Sequence, residues 1–318
     1  MGECIGVMSD ALSALARGDA ILPLRPILWL PEKAGALGMM PAYLGNIQSV
    51  GLKVVTVFPG NHGTRYDSHQ GAVLLFETGH GQLLSIMDAS SITAIRTAAV
   101  SGLATRLLAR ENADTVAILG TGVQARTHLE AMLTVRPVKS IRVWSRNAEH
   151  VSKFVEREAR KLSIAVVASS SAEEAVRGAD IICTTTSSRE PVLHGEWIAP
   201  GAHINAVGSS VAFARELDTA AVTNARLYVD RRESTLNESG DFIIAKKEGS
   251  IDESHIVGEI GDVILGKVKG RRSPDEITLF KSLGLAVEDL AAANHIYKKA
   301  AATNAGTLIE LGGERDED

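Results

Sequence analysis

The sequence predicts an α/β protein, a doubly wound parallel sheet joined to an α+β part built from antiparallel hairpins. Three features point to it. Residues 115–126, Thr-Val-Ala-Ile-Leu-Gly-Thr-Gly-Val-Gln-Ala-Arg, run a buried-strand pattern into Gly120-Thr121-Gly122-Val123-Gln124-Ala125 and then into an amphipathic helix pattern. This is the dinucleotide fingerprint of a Rossmann-type sheet, with Ala125 in the third small position. From Thr115 onward, short apolar runs alternate with helical stretches, as parallel strands with right-handed crossovers require. Between Gly38 and Met87, apolar runs are instead separated by Gly-rich turns, as in hairpins.

In chain order, residues 4–17 have helical spacing and stop at Gly18, after which Pro23, Pro26 and Pro31 break regular structure. Strands are expected over 52–58, 72–76 and 83–87, with turns at Pro59-Gly60-Asn61-His62-Gly63 and Thr78-Gly79-His80-Gly81. Asp88, Ser90 and Ser91 offer N-caps for a long helix over 92–108. The parallel strands are expected over 116–119, 141–144, 165–168, 181–184, 204–207 and 227–229. Helices fill 123–134, 148–162 and 172–177. Beyond Gly261 come a helix, a short strand over 277–280 and a long helix from Leu285 to about Ala302. The charged tail 312–318 is expected to fray.

A chain of 318 residues is long enough for two domains with their own cores. Its 45% hydrophobic and 22% charged residues are ordinary for a soluble globular protein. The net charge of −5 and the lack of a basic, aromatic-interleaved stripe argue against nucleic acid as a partner. No run of about 18 apolar residues is present, which argues against a membrane span. No basic stretch followed by an apolar core opens the chain, so no secretory signal is expected. Cys4 and Cys183 suggest no disulfide framework, and a cytoplasmic setting is the simplest expectation. The nine histidines have no ligand-like spacing, and no metal is expected.

The fingerprint assigns roles. Gly120 permits the tight turn, Gly122 lets the backbone approach a pyrophosphate, and Ala125 lets helix and strand pack closely. The phosphates would rest on the helix N-terminus at Val123 and Gln124, where free N–H groups favour an anion. The next strand, Ile141–Trp144, leads not to an acid but to Ser145-Arg146-Asn147. Nothing there repels a 2′-phosphate, and Arg146 can pair with one, so NADPH is expected over NADH. The bland alternative is a solvated loop arginine. Thr184, Thr185 and Thr186, at a strand end, suit either cofactor contact or simple turn chemistry.

Three cations stand out. Lys53 lies in Gly51-Leu52-Lys53-Val54-Val55, a strand apolar on both faces. A buried lysine there needs a counter-charge, which a substrate carboxylate would supply, unless its stem lies on apolar surface with its head in water. Arg96 is the only charge in an otherwise small and apolar helical segment. It suits bidentate carboxylate recognition or a structural tie. Arg25 sits between Pro23 and Pro26, and alone would be taken as a surface residue. Together the three suggest a small anionic substrate.

The chain resembles the ornithine cyclodeaminase/mu-crystallin family. The resemblance rests on Met40-Pro41-Ala42-Tyr43, Gly51–Val55, Ser68-His69-Gln70-Gly71, the Met87–Ala99 segment, Gly195-Glu196-Trp197, Pro200–Gly208, Glu216-Leu217-Asp218, Glu238-Ser239-Gly240-Asp241 and Thr278–Gly284. It implies a homodimer, with a substrate-binding and dimerisation domain at residues 1–112, completed by 284–318, and a NAD(P)-binding domain at 113–283. Substrate would lie in the cleft between the domains. It implies that Arg25, Lys53 and Arg96 clamp a carboxylate and that Val207 and Gly208 border the cofactor. Cyclodeaminases of the family carry a Glu where this chain has Gly38 and an Asp where it has Ser210; both anions serve a diamine. Their loss is similar to the ketimine-reductase branch. The resemblance thus implies NADPH-dependent reduction of a cyclic ketimine carboxylate, Δ1-pyrroline-2-carboxylate or its six-membered homologue, with NADH also possible. Lys53 would assist protonation and Ser210 would hydrogen-bond the nitrogen. His69 and Gln70 are expected to satisfy backbone groups, and Glu238 and Asp241 to shape a loop near the nicotinamide or end a helix. The alternatives are an ornithine or lysine cyclodeaminase, an alanine-dehydrogenase-like enzyme, and a non-enzymatic binding protein.

Overall fold

A computed structural model describes residues 1–61, 63–309 and 311. His62, in the expected turn, and the charged tail 312–318 lie outside them. The first helix is α1 (Gly2–Arg17). Six strands follow: β1 (Ala20–Ile21), β2 (Ile27–Trp29), β3 (Ala36–Leu44), β4 (Ser49–Val57), β5 (His69–Glu77) and β6 (Leu83–Asp88). After α2 (Ala89–Leu108) the alternating part begins: β7 (Thr115–Leu119), α3 (Val123–Val135), β8 (Ser140–Trp144), α4 (Ala148–Ala159), β9 (Ala165–Ala168), α5 (Ala172–Val176) and β10 (Ile181–Thr184). It continues through β11 (His203–Ala206), α6 (Thr219–Thr223), β12 (Arg226–Val229), α7 (Arg232–Glu238), α8 (Gly240–Lys247), β13 (Ile256–Glu259), α9 (Ile260–Ile264) and β14 (Thr278–Lys281), and closes with α10 (Ala286–Thr303).

The chain divides into two compact units. One holds Met1–Ala16 with Ala94–Leu285; the other holds Arg17–Thr93 with the C-terminal stretch from Ala286. This differs from the expected boundaries, which gave residues 1–112 to the substrate domain. Packing explains the difference. Ile5, Met8 and Leu12 of α1 are fully buried. Gly102 on α2 leaves room for Ile5, and Gly261 on α9 makes room for the α1 backbone at Leu12. The opening helix is therefore seated on elements of the parallel-sheet unit.

The parallel sheet has the order β13-β12-β14-β11-β10-β7-β8-β9. Val116 and Ile118 of β7 face one apolar cluster, and Ala117 and Leu119 face another. A strand covered on both faces reads as a continuous apolar run, which is why β7 was visible in the sequence. Chain order reverses between β7 and β10, so the carboxyl ends of these strands form the switch point where open α/β sheets bind ligands.

The other unit is an antiparallel sheet, β1-β3-β4-β5-β6, with β2 also beside β3. The central β3 was not among the expected strands, and Pro41, which has no N–H for the ladder, sits in its middle. Its register resolves the conflict: β2 pairs with residues 36–38 of β3 and β1 with 43–44, so Pro41 falls in the gap where no neighbour needs its missing N–H. Along β4 the burial alternates at first, Ser49, Gly51 and Lys53 being buried and Val50 exposed. Helix α10 covers the buried face; a Cβ at Gly51 would overlap Leu290 at 2.7 Å. Among the described residues, no helix is long and apolar enough to cross a membrane.

Candidate functional site

The fingerprint adopts the geometry that dinucleotide binding needs. Gly120 has φ +124°, and a Cβ there would lie 2.7 Å from Thr185 Oγ1, so only glycine fits. Gly122 is the N-cap of α3, its side-chain position opens onto empty space, and no side chain caps the helix. The first-turn amides at Val123 and Gln124 thus face a cradle with no Cβ in it. That cradle fits a pyrophosphate, at a helix end whose dipole favours an anion. Ala125 is fully buried against β7, as expected for close packing.

On the β8 side of this turn, Gly120 N donates to Trp144 O at 2.8 Å. Asn147 caps α4, its side chain accepting from His150 N at 3.1 Å, and Ser145 Oγ donates to Asn147 O at 3.2 Å. These two bonds shape the loop and leave Arg146 between them, exposed. On the β10 side the threonine hydroxyls bond to the protein. Thr184 is fully buried and its hydroxyl donates to Glu216 at 2.7 Å; Thr185 Oγ1 donates to Leu119 O at 3.1 Å. Both hydroxyls donate to protein acceptors, the turn-chemistry side of the expectation for these threonines. Val207 and Gly208 are half-buried in the loop after β11, where Val207 N donates to Thr184 O at 3.0 Å. Ser210 follows, also half-buried.

In the antiparallel unit, Lys53 is 4% exposed and forms an ion pair with Asp289 of α10 at 2.7 Å. Its ammonium also lies 3.4 Å from Thr93 Oγ1. The expectation that substrate would supply its counter-charge is therefore corrected: the fold supplies one, because α10 brings Asp289 onto the face that carries Lys53. The stem of Arg25 lies over Gly38, with Cδ 4.0 Å from where a Cβ would be and Val55 Cγ1 at 3.5 Å. Gly38 pairs with Val55 and Met40 with Lys53, so Arg25 and Lys53 share one sheet face. Val57 pairs with His69, placing that ring at the open end of the same face. Crowding around the ring, then the Lys53 charge, lower the His69 pKa, while Asp67 acts against them.

In the parallel-sheet unit, Arg96 is 4% exposed, and its guanidinium lies against the α-carbon of Gly284, where a Cβ would come within 3.0 Å of Cζ. Asp230 fixes that turn, accepting from Leu283 N at 2.5 Å and Gly284 N at 2.8 Å. Burial raises the Asp230 pKa, with these amides acting against it. Asp289 and Asp230 were not singled out from the sequence. Asp289 lay in a helix with ordinary amphipathic character, and Asp230 ended an apolar strand; neither has a local motif. Among the described residues, no three His, Cys, Asp or Glu side chains converge as metal ligands.

Fold and fingerprint together define a dinucleotide-binding α/β protein with a separate antiparallel unit that carries a buried lysine. The chain belongs to the ornithine cyclodeaminase/mu-crystallin family, whose model it matches over residues 1–304. It is 44% identical over 280 residues to the ketimine reductase mu-crystallin of Mus musculus, covering 88% of this chain and 85% of that protein. It is similar to the Δ1-pyrroline-2-carboxylate reductase of Thermococcus litoralis, solved with NADH and L-proline: TM-score 0.94, 42% identity, 96% of this chain and 95% of that one. An archaeal alanine dehydrogenase dimer with bound NAD matches with TM-score 0.92 and 34% identity, over 98% of this chain and 94% of that one.

Proposed function

We propose that this protein is an NAD(P)H-dependent reductase of a cyclic ketimine 2-carboxylate, Δ1-pyrroline-2-carboxylate or Δ1-piperideine-2-carboxylate, forming the cyclic amino acid. The observation that supports it most is the face shared by Arg25 and Lys53 beside Gly38. It presents cations to a carboxylate, and position 38 carries no anion for a second amino group. The Mus musculus and Thermococcus litoralis relatives support the same chemistry by name.

In this reading Arg25, Lys53 and Arg96 hold the substrate carboxylate. Fixing that group orients the C=N carbon, and orientation alone accounts for much of a barrier lowering. The nicotinamide cofactor, when bound, supplies the hydride. Val123 and Gln124 would hold its pyrophosphate and Arg146 would pair with a 2′-phosphate, which would give NADPH preference with NADH accepted. Ser210 hydrogen-bonds the imine nitrogen. Lys53, paired with Asp289, would assist protonation of that nitrogen. The setting is cytoplasmic.

We also infer a homodimer, formed through the outer face of the antiparallel sheet. There Pro41, Leu52, Leu74 and Ile86 stand in one cross-strand row, and Tyr43, Val50 and Phe76 in the next. Ile86 is 59% and Val50 38% exposed. The alanine dehydrogenase relative is a dimer.

The test is cofactor oxidation at a panel of cyclic imines and of 2-oxo acids with ammonia, using NADPH and NADH. Turnover of cyclic imine carboxylates is expected. Turnover confined to 2-oxo acids with ammonia would favour an amino-acid dehydrogenase, and ammonia release from ornithine a cyclodeaminase. In the same assay Arg146→Asp should shift preference towards NADH.

A further inference from the structure

Glu216 is fully buried, yet its carboxylate accepts four hydrogen bonds. Oε1 accepts from Thr186 N at 2.6 Å and Thr186 Oγ1 at 2.7 Å. Oε2 accepts from Thr184 Oγ1 and Gly208 N, both at 2.7 Å. Thr184 ends β10 and Thr186 lies in the loop that leaves it; Gly208 lies in the loop that leaves β11. The carboxylate is so close to Gly208 that a Cβ there would fall 2.6 Å from Glu216 Cδ. No other side chain fits at 208.

The carboxylate is itself anchored. Glu216 N and Leu217 N donate to Asp241 Oδ1 at 2.8 and 3.0 Å. Asp241 Oδ2 pairs at 2.9 Å with Lys281, which ends β14. Through this chain the carboxyl ends of β10, β11 and β14 are held in one register. Burial opposes the Glu216 charge, while Lys281 and the threonine hydroxyls support it. A carboxylate is the group this pocket needs, because it can accept all four bonds; an amide must turn a donor towards at least one of the donors.

With a pyrophosphate on α3, one nucleotide half would lie on the β8 side with Arg146, and the other across the switch point, over the loops that follow β10 and β11. We propose that Glu216 is a positioning residue for the nicotinamide half of the cofactor, acting through Thr184, Thr186 and Gly208. The proposal rests on the cofactor reading above, and it makes the two halves of the dinucleotide separable by mutation.

The experiment compares full-length wild type with Glu216→Gln. NADPH and NADH binding is followed by fluorescence, adenosine 2′,5′-bisphosphate binding by calorimetry, and Tm in parallel. The variant should lose about tenfold or more in NADPH affinity, as expected for a buried charged acceptor disrupted. Affinity for the bisphosphate, which lacks the nicotinamide half, should stay unchanged. Glu216→Asp should recover part of the loss. Equal weakening of both ligands would mark general loosening and overturn the proposal, as would unchanged NADPH affinity. Should Glu216→Gln fail to fold, Thr186→Val removes one donor without burying a charge. It should show the same split at about threefold, and unchanged NADPH affinity in it would overturn the proposal. A wild type that binds neither NADPH nor NADH would instead sink the cofactor reading itself.

Discussion

Lys53 shows what a single residue can and cannot disclose. Its place in an apolar strand announced a buried cation in need of a partner. The partner, Asp289, is more than 200 positions away, and nothing local in the sequence linked them. A neutralised ammonium also changes the energetics. The pair costs desolvation of both ions, and its mutual attraction offsets that only while both remain. Asp289→Ala should therefore destabilise the protein by about 3–5 kcal/mol in urea unfolding, as breaking one side of a buried pair does. Replacing both partners, Lys53→Met with Asp289→Leu, should recover most of that loss and still abolish turnover. A double variant as unstable as the single one would show that the pair acts through something other than charge. The same limit on legibility holds for Glu216 and Asp230. Each is recognised only when the strand ends and turns it ties together are seen side by side, whereas Gly120, Gly122 and Ala125 could be read from a six-residue window.

Elements were legible where burial imposed a period or a run. Strand β7 and helices α2, α3 and α10 followed from such patterns; β3 was not among the expected strands, because Gly38 and Pro41 inside it leave no clean apolar run. Helix α3 also carries a pH response. His128 lies on its buried side, with Nε2 2.9 Å from Ser101 Oγ of α2 and Nδ1 2.8 Å from Gln124 O. Burial lowers its pKa to about 4. At the start of β11, burial and then the Arg271 charge lower the His203 pKa to about 3. Both folded-state values lie below the unfolded value of 6.5, so the unfolded chain takes up the protons first. Stability from these groups is complete above pH 6.5 and is lost as pH falls towards 4 and 3. Between pH 7 and 5 each should contribute roughly 2 kcal/mol of loss. Urea titrations at the two pH values should show it, and His128→Gln should remove about half of the part due to the pair. An unchanged pH dependence in that variant would mean that α3 opens to water before the imidazole is protonated.

At the scale of the molecule, the antiparallel sheet has two faces with different fates. The face with Gly51 and Lys53 is sealed by α10. The opposite face keeps Leu52, Val54, Leu74 and Phe76 half-buried, with Val50 and Ile86 exposed. Strict side-chain alternation means that these residues cannot join the core under α10 without slipping the register by one, which would expose Lys53 instead. Contiguous apolar surface of this kind marks an interaction site more often than a free surface. In the homodimer proposed above a second copy would cover it, because a two-fold axis can lay the same cross-strand rows against each other. Introducing charge at the centre of that surface should break it: Leu74→Glu with Ile86→Lys on one chain places unlike charges in a single row, while Leu74→Glu with Ile86→Glu places like charges opposite themselves across the axis. The like-charge variant is expected to sediment as a monomer at micromolar concentration while keeping its Rossmann-unit NADPH affinity. Wild type is expected to sediment as a dimer. A wild-type monomer would remove the homodimer, and a dimeric like-charge variant would move its interface to another surface of the chain.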